Sequence, residues 1–169
     1  MAFQLFKGRR VLPPALRPQF DRSERVLAWA PCGDGVVVAT NLGLWWDGAR
    51  TGWHRIDKAA WDGTVMVITT AAVAAERAGY EVVADAAPVR LPLTDPDHLP
   101  HQVHLRVTSS VRHPVHHEVP GGGLWVFARR VPGMDGLAWT VRYDEGTDPD
   151  SPAVAAATDQ LVAAAQNDL

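Results

Sequence analysis

Between Asp34 and Gly63 the chain reads DGVVVATNLGLWWDGARTGWHRIDKAAWDG, two alternating apolar runs separated by a short polar stretch. Asp-Gly turn signals stand at 34–35, 47–48 and 62–63. Period-two alternation sends successive side chains to opposite faces of a strand, and Asp-Gly supplies the positive-φ residues of tight hairpins. The segment therefore commits the protein to a meandering β-structure. At 169 residues, 47% hydrophobic and with seven Trp, the chain suffices for one domain with a proper core.

Charge excludes a general polyanion surface, since the net value is −3. Its distribution is uneven. Positions 1–25 carry Lys7, Arg9, Arg10, Arg17, Arg22 and Arg25 against Asp21 and Glu24, whereas Asp144, Glu145, Asp148, Asp150, Asp159 and Asp168 have no Lys or Arg among them in 144–169. A solvated basic arm and an acidic tail account for both. Cys32 is the only cysteine, which rules out an internal disulfide and suits a reducing, cytoplasmic compartment. MAFQLFKGRR lacks the apolar core of a secretion signal, and no apolar window is long enough for a membrane span.

Residues 1–23 read as a basic N-terminal arm broken by Pro13, Pro14 and Pro18, and residues 24–169 as a single domain. RVLAWA is a first strand. Over 36–46 a second strand places Val36, Val38, Thr40, Leu42, Leu44 and Trp46 on one face, and Val37, Ala39, Asn41, Gly43 and Trp45 on the other. TGWHRIDK is a third strand, and Ile56, its only aliphatic residue, should face the core. Matching Leu42 with Ile56 puts Leu44 beside His54, Trp45 beside Trp53 and the hairpin tip near Ala49. Two adjacent Trp on one face demand a cover, either Phe3, Leu5 and Phe6 of the arm, another chain, or a ligand. Trp45 and Trp53, with neighbouring Arg55, are therefore the candidate partner-binding residues.

Further strands are expected at TVMVIT, Tyr80–Ala84, Val89–Leu93, Val115–Val119, Leu124–Arg130 and Leu137–Tyr143. Gly121-Gly122-Gly123 and Asp135-Gly136 supply turns. AAVAAERAG at 71–79 fits a helix, one helical turn or a continued strand. Over 95–111, Leu99, Val103, Val107 and Val111 form a helical stripe, while Val103, Leu105 and Val107 also alternate as a strand; a short helix is the preferred reading. A final amphipathic helix spans about 152–166, capped by Asp150 or Ser151, with Val154, Ala157, Thr158, Leu161 and Ala165 as its apolar stripe.

Seven or more antiparallel strands in hairpin order, followed by one C-terminal amphipathic helix, resemble the pleckstrin-homology-like (PH-like) superfold. The bacterial branch is echoed by Glu24-Arg25-Val26-Leu27, by Thr40-Asn41-Leu42-Gly43-Leu44 and by Trp53-His54-Arg55-Ile56. The segments GLW, WHRIDKAAWDG, RVTSSV and ARRVPG also resemble an uncharacterised actinobacterial protein family. These likenesses imply a mainly β (α+β) fold, a strongly bent antiparallel sheet or partial barrel. They do not fix a function, because PH-like domains serve lipid, peptide and scaffold roles alike. Phosphoinositide-binding members use Lys and Arg between strands one and two; here Pro31-Cys32-Gly33-Asp34-Gly35 carries an acid and no base. A non-enzymatic protein- or peptide-binding or scaffold domain without a cofactor is the leading expectation.

Six of the seven histidines fall in 98–117, and they motivate an alternative. Neutral imidazole is the commonest metal ligand, so a metal-binding protein or metal-dependent hydrolase would draw on His98, His101, His104, His113 and His116. No carboxylate or thiolate joins the triplet at chelating spacing, and dispersed surface histidines are the simpler reading. Other chemistry is weaker still. Asp34 would raise the Cys32 thiol, and the Asp144, Asp148 and Asp150 set lacks the EF-hand ligand order. The Gly121–Gly123 run precedes a strand and no Lys-Ser/Thr. Arg106, Arg112, Arg129, Arg130 and Arg142 with Trp125 or Trp139 could form a nucleic-acid stripe, but overall acidity argues against it.

Overall fold

The computed structural model describes residues 10–169, and the protein is mostly β. The proposed plugs Phe3, Leu5 and Phe6 lie outside the described residues. A first antiparallel sheet runs in chain order through β1 (Val26–Cys32), β2 (Gly35–Thr40), β3 (Gly43–Trp46) and β4 (Ala49–Gly52). A second contains β5 (Ile56–Trp61), β6 (Val65–Arg77), β7 (Tyr80–Asp85), β8 (Val89–Pro92), β9 (Val111–Val119), β10 (Gly122–Arg130) and β11 (Leu137–Tyr143). Its order is β5-β6-β7-β11-β10-β9, with β8 paired to β6. Every pairing is antiparallel except β7 with β11, where Thr140 lies opposite Glu81 and Val141 opposite Val82.

Within segment 71–79 the strand continues to Arg77, and Ala78-Gly79 turn the chain. The alanines before Arg77 belong to β6, whose first half pairs with β8 and whose second half pairs with β7. Helix α1 (Leu99–Ser110) occupies the ambiguous segment, with Leu99, Val103 and Val107 buried as its stripe and Pro100 in its first turn. Helix α2 (Pro152–Asn167) closes the chain and buries Val154, Thr158 and Val162. The apolar interior falls into two clusters. One gathers Val37, Leu44, Trp53, Ile56, Met66 and Ile68 under α1, and the other gathers Tyr80, Val82, Leu124, Val126 and Val141 under α2.

The expected strand over 36–46 is two strands. The Thr40 hydroxyl accepts the amides of Leu42 and Gly43 at 3.1 and 3.2 Å, closing a turn that folds β3 back on β2. Such side-chain-to-backbone bonds compete with strand continuation, so one threonine outweighs the apolar alternation on either side. The next hairpin turns at Asp47-Gly48, with φ of 50° and 76°, as an Asp-Gly type I′ turn requires. Its register therefore pairs Leu44 with Thr51, Trp45 with Arg50 and Trp46 with Ala49, three residues away from the register expected. A short 3-10 turn at Trp53–Arg55 then leads into β5.

Buried Glu24 ties this region to the arm. Its carboxylate accepts bonds from the Thr40 hydroxyl at 2.7 Å, the Trp45 indole at 2.8 Å and the Asp21 amide at 3.0 Å, and pairs with Arg50 at 2.8 Å. Burial alone would raise the Glu24 carboxyl; these four partners bring it below its ordinary value. Arg10 extends the contact, stacking 4.2 Å over Trp29 and bonding the Trp29 and Asp95 carbonyls at 2.9 Å.

Candidate binding face

The concave face of the second sheet is built around a charge network that the topology alone would not suggest. In sheet order β5 and β10 stand four places apart, about 19 Å in a flat sheet at about 4.8 Å per strand. Yet Arg129 of β10 donates to Asp57 of β5 at 2.6 Å. The sheet must curl toward this face to close that distance, which makes it a half-barrel. Asp57 also holds Arg142 of β11, which reaches Asp85 of β7 at 2.5 Å. Arg129 further donates to the Ser110 hydroxyl at the end of α1 at 3.0 Å and to the Ile56 carbonyl at 3.4 Å. Burial pushes the Asp57 carboxyl up and the Arg129 guanidinium down from their ordinary values, and each is opposed by the pairing itself.

An aromatic ladder continues from this network toward the edge of the sheet. Leu124, Val126 and Ala128 of β10 are buried, so alternation turns Trp125, Phe127 and Arg129 to the concave side. Trp125 lies opposite His116 of β9 and Arg142 of β11. Its ring centroid is 5.1 Å from that of His116 and 6.3 Å from that of Phe127, the latter stacked at 4°. His116 Nε2 is 2.7 Å from the Asp144 carboxylate. The glycine run has a packing cause here. A side chain on Gly123 would collide with Asp144 and His116, and one on Gly122 with Thr147. The Thr147 hydroxyl in turn accepts the Gly123 amide at 3.0 Å. Trp125 is left 38% exposed.

The residues singled out from sequence are used elsewhere. Trp45 and Trp53 do not form a pair. Trp45 is half-covered by Phe20 of the arm, edge-on at 5.8 Å, and by Arg50 at 5.7 Å. Trp53 is 2% exposed, with its indole donating to the Thr40 carbonyl at 2.9 Å. The register error is the cause: the Asp47-Gly48 turn moves Arg50 to the position expected of Trp53. Arg55 makes a two-pronged pair with Glu81 at 2.6 and 3.1 Å, which holds Glu81 below the ordinary carboxylate range.

The histidines do not converge. His98 occupies the position before α1 without a side-chain capping bond, His101 and His104 are exposed on the helix, and His113 sits at φ 49° before the His116–Asp144 pair. Among the described residues, no three His, Cys, Asp or Glu side chains stand close enough to share one ion. The Cys32 thiol is pushed up by burial and by Asp47 rather than Asp34, so it is not an activated nucleophile.

His54, the histidine outside the cluster, yields a pH prediction. Burial, then Arg55 and Arg129, lower it from the ordinary 6.5, with Glu81 opposing. The unfolded chain thus takes up a proton that the folded protein resists, and stability falls as pH drops below 6.5. Melting temperature measured from pH 7.5 downward should decline before the carboxylates, ordinary value 4.5, begin to titrate. His54→Gln should flatten that early decline; an unchanged slope in the variant counts against His54 as its source.

No helix of the described residues is long and apolar enough to cross a membrane. No family model, curated protein or solved structure matches the chain.

Proposed function

We propose that this protein is a non-enzymatic binding or scaffold domain of the cytoplasm that holds a protein or peptide partner against the aromatic rim of its concave face. The observation that carries the reading is Trp125, 38% exposed and braced between His116 and Phe127 on β10. Trp is enriched at the energetic centres of protein interfaces, and a pre-packed ring loses little entropy on binding. The charged groups beside it are paired with one another, His116 with Asp144 and Arg142 with Asp57 and Asp85, so they offer orientation and specificity to a partner. A PH-like module would correspond to residues 26–110: the four-stranded sheet, then β5, β6 and β8, then α1 over their shared core. On that proposal the helix of the module is α1, and β7, β9–β11 and α2 form an addition that carries the candidate face. A metal site on His98–His117 is not carried forward, because those side chains do not meet.

Affinity capture with the full-length protein, read by mass spectrometry, tests this. Trp125→Ala should lower recovery of a specifically captured protein by about tenfold or more while leaving the melting temperature nearly unchanged. Undiminished capture by the variant would remove the rim from consideration.

A further inference from the structure

We infer that two copies of this chain pair edge to edge through β9, joining their half-barrel sheets across a twofold axis. The free edge carries this, and the proposal stands independently of the partner reading above. Strand β9 ends the sheet order, and among the described residues only β10 pairs with it. The direction of its unpaired groups follows from one bond. The Asp144 amide donates to the Gly123 carbonyl at 3.0 Å, so Gly123 turns its backbone toward β11 and away from β9. Glu118, opposite Gly123, must then turn its own N–H and C=O to the open edge, and by alternation so do His116 and Pro114.

That pattern is self-complementary. With the twofold at His116, each His116 exchanges both backbone bonds with its copy, and each Glu118 amide meets the Pro114 carbonyl of the other chain. Proline has no N–H to donate, so it is tolerated at an edge and limits pairing to this short segment. The β-bulge on β9 has the same effect. Two β9 residues, His113 and Pro114, lie between Arg112 and Val115 where β10 has only Phe127, and His113 takes φ 49°. Only 114–119 therefore presents a regular edge.

The exposed surface suits this register. Glu118, opposite Gly123, shares the Trp125 face and meets Pro114 of the other copy, whereas Arg112, opposite Ala128, turns to the other face. Val115, 47% exposed, is covered near the axis, and the two Trp125 rims become one continuous face, about 14 Å apart at about 4.8 Å per strand. The contact is short, so its affinity belongs in the micromolar range.

Sedimentation velocity of the full chain from about 1 to about 300 µM should show a monomer–dimer equilibrium. Hydrogen exchange at the two extremes should show the His116 and Glu118 amides slowing with concentration. Glu118→Pro, which removes one edge-facing donor, should weaken the dimer tenfold or more. His116→Pro, which removes the donor at the axis together with the His116 contacts to Asp144 and Trp125, should abolish it; should that variant fail to fold, Glu118→Pro decides. A monomer at every concentration would overturn the proposal. So would a dimer indifferent to Glu118→Pro, or one that leaves the two amides exchanging freely.

Discussion

Asp57→Ala should cost about 3–5 kcal/mol of unfolding free energy, the range for removing one partner of a buried ion pair. The Asp57 side chain is only 10% exposed and Arg129 only 6%, so water cannot replace the lost carboxylate at Arg129. Arg142 retains Asp85 and is better placed to survive. Asp57 lies on β5, whose Ile56 belongs to the cluster under α1, whereas Arg129 and Arg142 lie on strands under α2. Its loss should therefore also loosen the joint between the two clusters. Urea unfolding at pH 7, followed in parallel by Trp fluorescence and by far-ultraviolet circular dichroism, reads both effects. A single coincident transition in the wild type should become two separated ones in the variant. Asp57→Leu combined with Arg129→Met should recover much of the loss, because a well-packed apolar pair replaces a buried ion pair at little cost. A loss below about 1 kcal/mol for Asp57→Ala would mean that the network is solvated and does not hold the clusters together.

Local signals in the sequence determined most of the elements. Asp62-Gly63 and the alternating runs located most strands, and Leu99, Val103 and Val107 identified α1 although Val103, Leu105 and Val107 alternate equally well as a strand. Two things were hidden. The turn at Thr40 rests on a hydroxyl reaching the amides of Leu42 and Gly43, a contact that apolar periodicity does not register. Separately, matching Leu42 with Ile56 instead of turning at Asp47-Gly48 displaced the next register by three residues and set Trp53 beside Trp45. The curl that brings Asp57 to Arg129 joins positions 72 residues apart, and no local pattern encodes that approach. The Trp125–His116 contact, by contrast, was within reach. A two-residue turn at Pro120-Gly121 fixes Trp125 opposite His116, and alternation puts Trp125 and Phe127 on the face away from Leu124 and Val126. The signal was outweighed by the more conspicuous tryptophans of β3 and by the compositional pull of the histidines.

The same register error makes Trp53 the sharpest test of the fold. Trp53→Ala should destabilise the protein by about 3–5 kcal/mol, the range for emptying a buried aromatic site. The ring is 2% exposed and packs in the cluster that holds Leu44, Ile56, Leu99 and Val103, where both sheets of this half meet α1. Its indole also donates to the Thr40 carbonyl at 2.9 Å, so Trp53→Phe should still cost about 1–3 kcal/mol by leaving that carbonyl without its donor. Thr40 organises the preceding turn and donates to Glu24, which extends the damage toward the arm. Trp45→Ala removes a half-covered ring and one bond to Glu24, and should cost less, about 1–2 kcal/mol. Denaturant titrations of the three variants rank them directly. If Trp45 and Trp53 were a surface pair, their alanine variants would be equally mild; near-equal, small losses would overturn the placement of Trp53 in the core.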